Sequence, residues 1–85
     1  MTCAFEMVNL QRVDPKRNMA RFYTVWMQCD LFGRTSLMRS WGRIGTTGRV
    51  QSVSFGESDA ALDAHANLLR RKLSKGYEIV AMVSA

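Results

Sequence analysis

Leu37-Met38-Arg39-Ser40-Trp41-Gly42-Arg43-Ile44, then Gly45-Thr46-Thr47-Gly48, then Arg49 onward to Phe55, is the stretch on which the fold turns. Residues 36–44 read as a strand, the glycine-bearing tetrad as a hairpin loop, and residues 49–55 as the strand that returns. Side chains alternate across a strand, so Arg39, Trp41 and Arg43 share one face. Met38 and Ile44 point the other way, toward the element expected to cover the sheet.

Upstream, residues 5–13 form an extended run that ends at Asp14-Pro15-Lys16-Arg17-Asn18, where Pro and Asn favour a turn. Residues 19–30 follow, rich in the strand formers Phe22, Tyr23, Val25 and Trp26. Tyr23, Val25, Met27 and Cys29 make one side apolar, whereas Thr24, Gln28 and Asp30 interrupt the other. Residues 31–34 give the next turn. Downstream the period changes. Ser58 is the expected N-cap of a helix with Asp59 at its positive dipole end, and Gly76 is the residue that stops it. Leu62, Ala66, Leu69 and Leu73 recur at helical spacing as one apolar stripe, while Asp63, Asn67, Arg70 and Ser74 face away. Residues 77–83 read as a fifth strand or an extended tail. The expected fold is α+β: an antiparallel sheet of four to five strands with one amphipathic helix packed on one face, the other face left bare.

The chain has 85 residues, enough for one domain and too few for two, so residues 1–85 are read as a single unit. Hydrophobic residues at 47% and charged residues at 22% are ordinary for a globular protein. The formal net charge is +5, and nine of the 12 cations are Arg, whose planar fork of donors suits phosphate. Cys3 and Cys29 have neither zinc-site nor disulfide-framework spacing, so Cys29 is expected to pack as a small hydrophobe in a reducing cytosol. The N-terminus lacks the pattern of a signal peptide, and no apolar run approaches the roughly 20 residues of a membrane span. A cytoplasmic location, no membrane partner and a monomeric state are the expectations.

The Arg39-Trp41-Arg43 face offers a flat apolar plate for a base or sugar, flanked by cations for phosphate. Arg49 lies just across the turn, and Arg34, at the preceding turn, would extend the patch. Gly42 removes a side chain where another backbone or a ligand approaches closely. The alternative use of Trp41 is as a core residue with Arg stems laid over it, and a half-buried Trp capped by Arg serves both. Arg70, Arg71, Lys72 and Lys75 occupy the last helical turns, where they complement the helix dipole at least as well as they would contact phosphate. Arg12, Lys16, Arg17 and Arg21 cluster around the first hairpin, most simply as guards of an exposed edge, otherwise as a second phosphate-contact edge. His65 is the single histidine and has no partner residue for a dyad or a metal site. The serines have no local base or GxSxG context, and the Gly45–Gly48 turn lacks the ending of a Walker loop. No enzyme, cofactor or metal is expected.

Trp41-Gly42-Arg43-Ile44-Gly45 followed by Thr46-Thr47-Gly48 resembles the signature of WGR domains. The strand Phe22-Tyr23-Thr24-Val25-Trp26, the helix with Ala60-Ala61, and the later Lys72 and Gly76-Tyr77 match the same family layout. The resemblance covers roughly residues 5–80. It implies a compact antiparallel sheet with a helix. WGR domains occur in DNA-dependent poly(ADP-ribose) polymerases and as small stand-alone or fused modules in bacterial proteins. In the polymerases the Trp packs beside a nucleotide near a DNA strand end. The resemblance therefore implies a stacking role for Trp41 and a polar or domain-docking role for Arg43. With no polymerase domain or zinc fingers in these 85 residues, relay of a DNA-break signal does not carry over.

The function expected is a non-catalytic nucleic-acid-binding module, directed at DNA, with Trp41, Gly42, Arg43, Arg39, Arg49 and Arg34 as contact residues. The alternative is a protein-interaction module that docks a partner protein through the same strand.

Overall fold

The computed structural model describes residues 7–29 and 32–83. Five strands and one α-helix follow in chain order: β1 (Met7–Asp14), β2 (Met19–Cys29), β3 (Thr35–Arg43), β4 (Arg49–Phe55), α1 (Ser58–Ser74) and β5 (Glu78–Val83). All neighbours pair antiparallel in the order β4-β3-β2-β1-β5, so the chain meanders from β1 to β4 and the helix carries it back to the far edge. That return fits its length. Seventeen residues make roughly 25 Å of helix, and five strands span roughly 19 Å.

The β1–β2 turn is a single 3-10 turn, Pro15–Arg17, closed by Asn18 in the left-handed region at φ 51°. Proline presets the first backbone angle, and Asn tolerates the last. Phe5 and Glu6 at the start of the expected first strand lie outside the described residues, as do Asp30 and Leu31 at the next turn.

The core lies between sheet and helix: Val8 and Leu10 of β1, Tyr23, Val25 and Met27 of β2, Leu37 of β3, Ala61 and Leu68 of α1, and Tyr77. Register explains the set, because Val8 opposes Val25, Leu10 opposes Tyr23 and Met27 opposes Leu37 on one face. This corrects the expected polarity of β3. Leu37, not Met38, faces the helix, and the parity that moves Met38 outward brings Arg39, Trp41 and Arg43 to the helix side. Ile44 lies beyond β3 and is exposed.

The helix is also rotated by one residue from the expected stripe. Ala61 and Leu68 are buried, His65 and Lys72 lie half-buried on the same line, and Leu62 and Leu73 remain 45% and 44% exposed. Two polar residues at positions 65 and 72 hide the true buried line from a hydrophobicity count. Its N-cap is Glu57, without a side-chain cap bond, in place of Ser58, which is already helical. At the other end the Gly76 amide donates to the Leu73 carbonyl and the Tyr77 amide to the Lys72 carbonyl, both at 3.1 Å. This pair is a Schellman closure, and Gly76 at φ 97° supplies its left-handed residue.

Cys29 is half-buried and disulfide-bonded, so it does not pack as a free thiol; its partner lies outside the described residues. No helix among the described residues is long and apolar enough to cross a membrane.

The face of the sheet away from the helix carries Asn9 and Gln11, then Phe22, Thr24, Trp26 and Gln28, then Ser36, Met38 and Ser40, then Val50, Ser52 and Ser54. None of these is charged, but Glu78 of β5 opposes Gln11 and lies on the same face. The strand positions occupied by Arg12, Asp14, Arg21, Arg39, Arg43 and Arg49 all belong to the helix side.

Candidate nucleic-acid interface

The helix leaves one end of its own face of the sheet open around the central strand β2. That opening is a groove of about 490 Å³, bounded by the β1–β2 turn, the start of β2, the end of β3 and the last turn of α1. Arg17, Asn18, Arg21, Tyr23, Trp41, Arg43, Lys72 and Tyr77 contribute to its lining.

Its wall is an aromatic row. Trp41 opposes Tyr23 across β3 and β2, and the rings stack with centroids 6.3 Å apart at an interplanar angle of 23°. Tyr77 meets Tyr23 edge-on at 6.2 Å and 73°. Offset stacking and edge-to-face contact are the two geometries favoured by ring quadrupoles, so the row is held in one arrangement. Trp41 is half-buried, packing on the core from one side and lining the groove from the other.

Cations frame this wall. The Lys72 ammonium sits 4.4 Å from the Tyr23 ring centre and 5.2 Å from that of Tyr77, which draws the last helical turn onto the row. Burial, and then the like charges of Lys75, Arg39, Arg71 and Arg21, hold its ammonium below the usual lysine range. Arg39 lies 5.3 Å over the indole and donates to Tyr23 Oη at 3.3 Å and to Gln51 Oε1. One terminal nitrogen thus serves the wall and the other β4, while the buried Nε has no hydrogen-bond partner among the described residues. Arg43 donates to the Asn18 carbonyl at 3.2 Å and to Asn18 Oδ1 at 3.3 Å, tying β3 to the first turn.

Arg12, Arg21 and Arg43 stand directly opposite one another on three successive strands. Like charges in such register repel. Arg12 is tucked under the helix C-terminus, where a Cβ on Gly76 would approach its Nε to 3.3 Å. Arg21 and Arg43 are exposed, and neither makes an ion pair among the described residues, whereas Arg17 pairs with Asp14 at 3.6 Å. Two guanidinium groups side by side without a neutralising carboxylate, Arg43 held in place by Asn18, are a place for an anion.

Gly42 owes its identity to the hairpin. A Cβ there would lie 2.8 Å from the Cα of Gly48, so the close neighbour is another backbone. A Cβ on Gly48, which sits at φ 69°, would collide with the Trp41 carbonyl oxygen and come within 2.7 Å of the Phe22 ring.

Of the sequence-derived residues, Trp41, Gly42 and Arg43 line the groove. Arg39 flanks Trp41 on its own strand, and Arg49 opposes Trp41 on the edge strand β4. Arg34 precedes β3 at its opposite end, seven residues and roughly 23 Å of strand from Trp41. Tyr23, Arg17, Arg21, Lys72 and Tyr77 also enter the groove; the sequence reading offered phosphate contact for Arg17, Arg21 and Lys72 only beside a structural role, and placed neither tyrosine at the site. The signal was present for Tyr23, on the same face and in the adjacent strand. For Lys72 and Tyr77 it lay only in the helix closure at Gly76. Among the described residues, no group of three His, Cys, Asp or Glu side chains is placed to hold a metal ion.

An antiparallel sheet with a single helix, bearing its Trp-Gly-Arg on the third strand beside a basic groove, defines the class. The chain belongs to the WGR domain family, whose model matches residues 6–82. This module is associated with nucleic-acid binding in poly(ADP-ribose) polymerases. The uncharacterized protein y4dW of Sinorhizobium fredii is 44% identical over 68 residues, which cover 80% of this chain and 33% of that protein. Protein YehF of Escherichia coli is 45% identical over 38 residues, covering 45% of this chain and 14% of that protein. The chain thus spans a third or less of the length of these relatives. No solved structure gives a significant match.

Proposed function

We propose that the domain is a non-catalytic nucleic-acid-binding module that takes DNA through the groove at the helix C-terminus. The observation that carries this reading is the Arg21–Arg43 pair, which no carboxylate among the described residues neutralises, beside the Tyr23–Trp41 stack. Phosphate neutralises the first, and a base or sugar packs on the second. Arg17 and Lys72 add charge at the rim, and Gly42 keeps the hairpin against Trp41. Arg39 acts by holding Tyr23 and Trp41 in place, Arg49 contributes at the sheet edge, and Arg34 lies outside the groove. Contacts of this kind read backbone and exposed base or sugar in preference to sequence.

The test is titration of the purified protein with labelled single-stranded, blunt duplex and nicked duplex DNA at moderate salt. Binding to at least one form that is weakened by Trp41→Ala supports the reading. A folded protein that binds none of the three overturns it and leaves docking of a partner protein through the same strand as the reading to pursue.

The cytoplasmic location expected from the sequence stands against one observation. Disulfides are rare in reducing cytosol, and Cys29 is disulfide-bonded. Alkylation of the protein taken directly from its host, without reductant, decides the compartment: free Cys29 supports the cytoplasm, and a blocked thiol opposes it.

A further inference from the structure

We propose that the free edge of β4 takes an extended acidic peptide as an added strand, whose helix-side side chains enter a second groove between β4 and α1. The first observation is the edge itself. β4 pairs with β3 alone, and among the described residues no backbone bond from a turn or helix reaches it. An edge strand turns every second N–H and C=O outward, a template for another chain, and such edges are ordinarily blunted by proline, charge or a bulge. The opposite edge, β5, has such an irregularity, since its register against β1 shifts between Asn9 and Leu10. β4 has only Arg49 at its start. Its seven residues keep unbroken register from Arg49 opposite Trp41 to Phe55 opposite Thr35, and all but Phe55 are exposed.

Beside that edge lies a groove of about 350 Å³, which shares no lining residue with the one at Trp41. Leu37 of β3 and Val53 and Phe55 of β4 form its floor. Ala64, Asn67 and Arg71, three and four positions apart on one helix face, form its wall. Val53 lies on the helix side of the sheet and is still 43% exposed, so this apolar floor has no cover. Paired strands lie about 4.8 Å apart with side chains alternating between faces. Every second side chain of a strand added to β4 therefore stands beside Gln51, Val53 and Phe55 on the groove side. Main-chain bonds to the edge supply affinity, and the groove selects the side chains.

Charge decides the kind of peptide. Arg39 and Arg71 line the groove, Arg49 begins β4 on the same face, and no acidic side chain is in the lining. None of the three makes an ion pair with a carboxylate among the described residues. The net charge of +5 disfavours a second copy or a basic segment and favours an acidic one. Nucleic acid would satisfy the charge alone: its backbone has no run of N–H and C=O groups to pair with a strand edge, and the lining is mostly apolar.

The experiment is an amide NMR titration of the isotope-labelled full chain, without DNA. The probe is a synthetic peptide of seven residues, the length of β4, that alternates Val with Thr and ends in two Asp. The expected result is shifted, slowly exchanging amides in β4, with shifts at Ala64, Asn67 and Arg71. Methylating alternate peptide amides on the pairing side should abolish binding, and so should Lys in place of both Asp. Arg71→Glu, at an exposed helix position, should weaken affinity roughly fivefold, the upper worth of one exposed ion pair. The two peptide controls require no protein variant to fold. No shift at millimolar peptide overturns the proposal, as does an equal response to either control peptide. Shifts confined to the groove at Trp41 also overturn it, because the peptide then only substitutes for phosphate. With no DNA present, failure here leaves the function proposed for that groove untouched.

Discussion

Gly42 and Gly48 touch across the base of the β3–β4 hairpin, so closely that a methyl group on Gly42 would stand 2.8 Å from the Gly48 Cα. The contact locks the turn over Phe22 and sets the backbone that carries Trp41. Gly42→Ala is expected to cost about 1–3 kcal/mol, the usual penalty for overpacking. Gly48→Ala should cost more, because it adds left-handed strain to a collision with the Trp41 carbonyl. Chemical denaturation of the two variants checks the order; equal stability with the parent would mean that the turn yields freely.

Trp41→Ala is expected to weaken DNA binding by on the order of 1–3 kcal/mol, the range for loss of one stacked base. Trp41→Phe should recover part of it, since a ring still opposes Tyr23. Fluorescence anisotropy with the same labelled DNA measures both, and an unchanged affinity in a folded Trp41→Ala protein removes the stacking role.

Neutralising three to four phosphates gives a slope of about −3 for log affinity against log salt on duplex DNA. Arg21→Gln should reduce the magnitude of that slope by about 1, the signature of one lost phosphate contact. Arg34→Gln, far from the groove, should leave it unchanged. Arg39→Gln should also leave the slope nearly intact while lowering stability by on the order of 1–2 kcal/mol, because it removes hydrogen bonds within the protein. A slope that falls equally for all three would mean that the cations act as a diffuse field.

Lys72 gives the groove an alkaline limit. Burial and neighbouring cations place its proton loss below the usual 10.5, and a bound phosphate favours the ammonium. Binding therefore takes up a proton, and affinity should fall as pH rises through the free-state value. In the free protein the sign is reversed. The unfolded chain holds the proton to higher pH than the folded one, so stability rises between those two values. Lys72→Arg, charged throughout, should abolish the step in affinity. Anisotropy titrations between pH 7 and pH 10.5 read it out, and an identical pH profile in the variant would assign the step elsewhere.

The strands, the helix, their order and the shared face of Arg39, Trp41 and Arg43 follow from local pattern alone. Alternation, turn chemistry and the Gly76 stop act over a few residues and need no partner. Even so, the pattern misassigned the helix-facing side of β3, because Met38 and Leu37 are equally apolar and parity alone does not say which face is covered. It also misplaced the buried line of α1 by one residue. Lys72 lies on that line because Tyr23 and Tyr77 receive its ammonium, and an interaction between residues 49 apart leaves no local trace. Arg21 read as an edge guard until register set it opposite Arg43. The Trp-Gly-Arg motif and its strand were thus decided by sequence. The groove around it was decided by tertiary structure, because it exists only where the end of the helix meets the first hairpin across the central strands.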